Sequence, residues 1–219
     1  AQKRKFAPFG LIFLFFFAGS RSQSSAVIMQ DKTFRHQHIT DSGLLLQLNQ
    51  GPDFKLLSRV EKEAVYWIAV LRKNPPSFSE QIIKPFIQQF PELRGSETRS
   101  LEKELTMAEP MSILLPSGRL RNTALAQAKF LSTNDQLTHN GPKGKSFKHR
   151  MEDAGIKDCA GENLFEGKSD PLVSLILLLI DHGVKGYGHR KTLLNPAFTR
   201  IGLSIVEEGQ DIMVMVQDF

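Results

Sequence analysis

Four of the six histidines, His139, His149, His182 and His189, fall within residues 139–189. The same stretch carries Gly161-Glu162-Asn163-Leu164 and the glycine-flanked Gly186-Tyr187-Gly188-His189-Arg190. Imidazole and carboxylate are the side chains that ligate borderline divalent ions and exchange protons near neutral pH. No ready-made catalytic pattern accompanies them: there is no H-E-x-x-H, no G-x-S-x-G, no phosphate-cradling glycine loop and no C-x-x-C. Spacing alone therefore leaves two readings open. One is a shared histidine/glutamate pocket. The other is a set of unrelated roles: His139 compensating a helix C-terminus, Glu162 bonding loop amides, His189 sitting in a turn among glycines. His149, inside Lys148-His149-Arg150, reads as solvated, and His182 as a turn residue. His36 and His38 form His-Gln-His in a polar segment without a third ligand.

The elements that must position these residues are legible from apolar periodicity. Val60, Ala64, Trp67, Ile68 and Leu71 recur at helical spacing until Asn74-Pro75-Pro76 stops them. A second helical stretch starts at Ser79 and ends at Pro91, and a charged amphipathic one runs from Ser96 to Ala108. Ser117 caps a helix with Leu120, Ala124, Ala128 and Leu131 on one face. A short helix spans Phe147 to Met151, and Asp170-Pro171 opens an apolar helix through Ile180. Strands are marked at 201–205 and 212–216, joined as a hairpin through Glu207 to Gln210. Helices first and strands last argue an α+β fold.

Three blocks then carry a resemblance. Leu137-Thr138-His139-Asn140-Gly141, Gly161-Glu162-Asn163-Leu164-Phe165, and Gly188-His189-Arg190-Lys191 continuing through Asn195-Pro196 to Ile201-Gly202 resemble the CAP superfamily (cysteine-rich secretory protein, antigen 5, pathogenesis-related 1; the SCP domain) in its disulfide-free bacterial branch. The resemblance covers residues 58–219 and implies a three-layer α-β-α sandwich closing on a C-terminal β-hairpin. It further implies that His139, Glu162 and His189 meet in a surface cavity able to hold a divalent metal, Zn²⁺ or another borderline ion. One departure stands out. Where animal and plant members carry a second glutamate, this chain has the apolar run Val173 to Ile180, and Asp181 is the nearest carboxylate. Arg190 and Lys191 also replace the usual residues after the histidine, with Tyr187 and Arg190 expected at the cavity rim.

Composition narrows the function class. Among 219 residues, 41% are hydrophobic and 23% charged, globular proportions that exclude a wholly disordered chain or a polytopic membrane protein. The net charge is +5, but Lys3, Arg4 and Lys5 supply three of the 28 basic residues, leaving 25 against 23 acidic ones. That balance gives no nucleic-acid patch. The same three residues precede Leu11-Ile12-Phe13-Leu14-Phe15-Phe16-Phe17-Ala18 and a small-residue site at Ala18-Gly19-Ser20, the anatomy of a cleaved secretory signal and a run too short to span a bilayer. The expected organisation is a signal peptide over 1–20, a flexible tether over 21–57 and the CAP domain over 58–219, in a secreted or periplasmic monomer. Cys159 is the only cysteine, so the core has no internal disulfide and holds by packing. The favoured function is an exported binding or interaction module for a lipid, a cell-envelope component or a protein partner. The alternative is a metal-dependent hydrolase using metal-bound water.

Overall fold

Strands β3 (Arg200–Glu208) and β4 (Ile212–Asp218) are apolar on both faces, and that decides the architecture. In the β3–β4 register, Val206 and Val214 share one face with Val216, while Leu203, Ile205, Met213 and Met215 share the other. A sheet with two apolar faces must be covered on both. In this computed structural model, which describes residues 33–36, 39–134, 136–157, 161–208 and 212–219, helix α6 (Gly118–Ser132) covers the first face. There Ala124, Ala128 and Leu131 pack against Leu164, Val214 and Val216. Helices α2 (Arg59–Lys73) and α8 (Pro171–Ile180) cover the second, with Ile201, Leu203 and Met215 in one core with them. The sheet order is β1-β3-β4-β2, with β1 (Leu115–Pro116) parallel to β3 and β2 (Glu162–Lys168) antiparallel to β4. The result is the expected α+β, α-β-α sandwich ending on a hairpin.

Local chemistry sets the helix ends. Ser58 and Glu61 form a capping box on α2, Asp170 caps α8 by accepting from Val173 N–H, and Pro171 opens its first turn. Nine of the ten α8 residues are buried, as an all-round apolar sequence requires. The stretch expected as one helix from Ser79 to Pro91 is broken differently. After α3 (Pro75–Phe78), residues Ser79–Ile83 widen into a π turn before α4 (Lys84–Gln89). Pro85 has no N–H to donate back along the ladder, so the turn ahead of it opens. Helix α5 (Ser96–Met107) follows as expected.

The expected tether is corrected over its later part. Asp41 caps α1 (Ser42–Gln50), and Phe34, Leu44, Leu48, Phe54 and Leu57 are buried in the same core as α2 and α8. His36, although exposed, sets its ring edge-on to Trp67 at 5.3 Å. Leu44 and Leu48 stand at i, i+4 and drive this docking, but the stripe is short and flanked by Gln, Asn and Gly. The signal over residues 1–20, His38 and Cys159 lie outside the described residues. No helix among the described residues is long and apolar enough to cross a membrane.

Two arginines with no exposed surface lock the layers. Arg72 on α2 donates to the carbonyls of Ser112, Leu193, Asn195 and Phe198. Burial lowers its pKa to about 10, which still leaves it charged at neutral pH. Arg190 donates to the carbonyls of Leu179, Ile180 and Glu97 and bonds Ser100 and Glu104. The expectation that Arg190 rims the cavity is therefore corrected: its charge is consumed inside, joining α5 to α8.

Candidate functional site

His139 lies in the loop after α6, and α6 itself holds that loop. Gln127, fully buried, donates through Nε2 to the carbonyls of Thr138 and Asn140 on either side of the histidine. His139 Nδ1 stands 2.8 Å from Glu162 Oε1. Glu162 opens β2 with its side chain 1% exposed, and its second oxygen accepts from Arg150 Nη2 at 2.5 Å. Arg150 comes from α7 (Phe147–Asp153), capped by Ser146, and also donates to the His139 carbonyl. It reaches the site by passing Gly141, where an added Cβ would lie 2.8 Å from Arg150 Cδ and 3.0 Å from Gln127 Oε1.

The second pair forms on the other side of β2. Glu162 and Asn163 point to opposite faces, and Asn163 Nδ2 reaches toward the His189 carbonyl at 3.4 Å. Asp181 ends α8 in the left-handed region at φ 57°, and Gly183 and Gly186 continue the reversal at φ 74° and 86°. This tight turn returns the chain so that α9 (Gly188–Leu193) starts over Asp181. The Asp181 carboxylate accepts the His189 backbone N–H at 3.0 Å and holds His189 Nδ1 at 2.6 Å. One buried acid thus closes α8 onto the positive end of α9 and orients the imidazole. His182 lies 3.9 Å from Glu97, and His149 contacts Ser146; neither joins a pair with the site residues.

Asp218 and Arg150 are site residues that the sequence reading missed. Asp218 is the Cα partner of Glu162 across β2–β4, and its Oδ2 lies 2.6 Å from Thr123 Oγ1. Burial, and next the charge of Glu162, push its carboxyl well above the ordinary carboxylate range. A signal existed: Asp218 has the parity of Val214 and Val216, an acid in register with inward-facing residues.

The hydrogen bonds fix what the imidazoles can offer. An ionised carboxylate only accepts, so both Nδ1 atoms carry their protons and both Nε2 atoms keep a lone pair when neutral. Carboxylate–histidine pairs of this form orient metal-ligating imidazoles. His189 Nε2 is buried with no partner among the described residues. Glu162, with both oxygens engaged, supports His139 and is not a free donor. No three His, Cys, Asp or Glu side chains gather as a metal-holding group among the described residues. The described donors therefore do not form a closed three- or four-ligand metal site.

Comparison with known proteins follows the same lines. A relative in Bacillus subtilis (strain 168), the protein YkwD, is 29% identical over 114 residues, 52% of this chain and 41% of its own length. The chain thus spans less than half of that relative. Among solved structures, an extracellular protein containing a SCP domain from Bacillus anthracis str. Ames is 21% identical, with a TM-score of 0.41, over 65% of this chain and 43% of that one. An outer surface protein from Borrelia burgdorferi is 18% identical, with a TM-score of 0.39, over 55% of this chain and 83% of that one. The family model described as the cysteine-rich secretory protein family, CAP, matches residues 93–219. That match takes in more than half of the sequence and both histidine–carboxylate pairs, and the chain belongs to the CAP family.

Proposed function

We propose that this chain is an exported binding module whose polar site, built from His139–Glu162 and His189–Asp181, takes a divalent ion weakly and presents the surroundings to a lipid, envelope or protein partner. The observation that carries the reading is His189 Nε2, a buried lone pair backed by Asp181 and left without a partner. Such an atom costs about 1–3 kcal/mol unsatisfied, so it is kept for something. When bound, a divalent ion would supply positive charge at an imidazole Nε2. The residues do the rest: Glu162 and Asp181 hold the tautomers, and Gln127 fixes the His139 loop.

A hydrolase would need a carboxylate free to take a proton from water. Glu162 is spent on His139 and Arg150, and Asp181 on His189. That commitment favours binding over catalysis. Export is the expected fate of a chain led by Lys3-Arg4-Lys5 and the run Leu11 to Ala18. Intact-mass measurement of protein collected outside its native host's cells should lack residues 1 to about 20.

Titration calorimetry with Zn²⁺ tests the site. Each imidazole must be neutral to ligate, so protons compete with the ion and binding should weaken as the pH is lowered. His139→Ala and His189→Ala should each abolish it while the melting curve is retained. Unchanged binding in the double variant would refute the reading.

A further inference from the structure

Beside the histidine site, α6 and α7 enclose a recess of about 440 Å³, within the size range of small-molecule pockets. Its exposed lining is mainly apolar, with a few polar side chains set into it. Arg119 and Asn122 face it from α6, and Arg150 and Asp153 from α7, while Ala126 and Pro142 give an apolar rim. Arg150, its side chain 10% exposed, spends Nη2 on Glu162 and the His139 carbonyl. Its Nε and Nη1 are shielded from water and have no partner among the described residues. Arg119 is exposed, its guanidinium donating only a long bond of 3.4 Å to the Gly155 carbonyl.

The charges here can be counted. Glu162 balances Arg150, and Lys145 is ion-paired with Asp153. Among the described residues Arg119 remains, giving the recess one positive charge in excess. We propose that this recess is a second binding site, for a small organic carboxylate with an apolar body. The carboxylate bonds Arg119, with Asn122 as a further donor, and the apolar part lies against Ala126 and Pro142. A planar carboxylate matches guanidinium donors better than it matches an ammonium site. The source can be a free organic acid or the C-terminal carboxylate of a peptide, since both present the same group. The proposal does not rest on metal binding by His139 and His189.

Backbone-amide NMR of the full chain, titrated with benzoate and in parallel with benzamide, inorganic phosphate and the dipeptide Ala-Ala, tests it. Benzoate should shift the amides of residues 118–126 and 150–154 saturably, and benzamide, its uncharged counterpart, should not. Arg119 is exposed, so Arg119→Gln keeps the fold; it should weaken benzoate roughly tenfold, the loss of one charge-assisted bond. His189→Ala should bind benzoate like the parent. Ala-Ala binding at the same amides as tightly as benzoate assigns the peptide source, and benzoate alone the free acid; either supports the site. Equal shifts with benzoate and benzamide, wild-type affinity in Arg119→Gln, or saturable phosphate without benzoate would each overturn it.

Discussion

At the scale of single residues, Asp218 is the group whose setting makes stability depend on pH in an unusual direction. Its folded pKa is raised by burial and by Glu162, above the free carboxyl value of about 3.9. Between those two values the native state holds a proton that the unfolded chain has released. Stability must therefore fall as pH rises through that window, and level off above the folded pKa. Paired surface carboxylates such as Asp41, held down by its bond from Lys73, act in the opposite sense and mask the effect in the parent alone. Asp218→Asn mimics the protonated acid, so subtracting the two profiles isolates it. Urea unfolding from about pH 4 to pH 7 should show the variant gaining on the parent as pH increases. Parallel profiles would mean that Asp218 is ionised in the native state. Gly141→Ala addresses the neighbour: its Cβ would meet Arg150 Cδ at 2.8 Å and Gln127 Oε1 at 3.0 Å. Overpacking of this kind costs about 1–3 kcal/mol. Because Arg150 anchors Glu162, the His139 imidazole NMR signals should shift as well as the urea midpoint.

Elements meet most closely where α6 crosses β3. A Cβ on Gly202 would stand 2.1 Å from the Leu120 carbonyl carbon and 2.4 Å from its Cβ. These are backbone and near-backbone atoms that cannot swing aside, so Gly202→Ala should cost about 3 kcal/mol or prevent folding. Gly155→Ala is the control. It meets nothing within 4 Å among the described residues and pays only for its φ of 67°, about 1–2 kcal/mol. Comparable urea midpoints for the two variants would contradict the close crossing. The same elements show why some of the molecule was readable in advance. Helices α2, α6 and α8 announce themselves by Ser58, Ser117 and Asp170 at their caps and by long apolar stripes, and the hairpin by two apolar runs either side of Glu207-Glu208-Gly209-Gln210. Strand β2 does not, because Glu162, Asn163 and Glu166 serve the site or the sheet edge rather than a core stripe. His139, Glu162 and His189 were legible as residue types in characteristic blocks. Arg150 was not: Lys148-His149-Arg150 reads as a solvated helix, and its burial comes only when α7 folds back onto β2. Pairing across the fold, as with Asp218, leaves little local trace.

The whole molecule folds around a core wider than the family match. That match begins at residue 93, yet Glu61 on α2 accepts the Ile205 N–H on β3 and pairs with Arg121 on α6. Arg72 holds the segment from Leu193 to Phe198. The described elements from α2 onward thus form one cooperative unit, and the described residues before α2 are bound to it. Phe34, Leu44, Leu48, Phe54 and Leu57 are buried in the main core. Asp53 accepts the Gly118 N–H at the start of α6, and Tyr66 bonds both the Ile39 carbonyl and the Asp41 N–H. Burying one large apolar side chain stabilises by about 1.5–3 kcal/mol, an upper figure because unfolded chains are already partly collapsed. Five such residues set against a typical domain stability of about 5–15 kcal/mol leave little in reserve. A chain beginning at Ser58 should melt far lower than the full chain, or without a cooperative transition. One beginning at Thr33 should match the full chain, since it keeps every one of these contacts. Circular dichroism melts of the two distinguish an integral N-terminal layer from an appendage. Equal melting temperatures for both would mean that α1 and Phe34 only rest on a core able to stand without them.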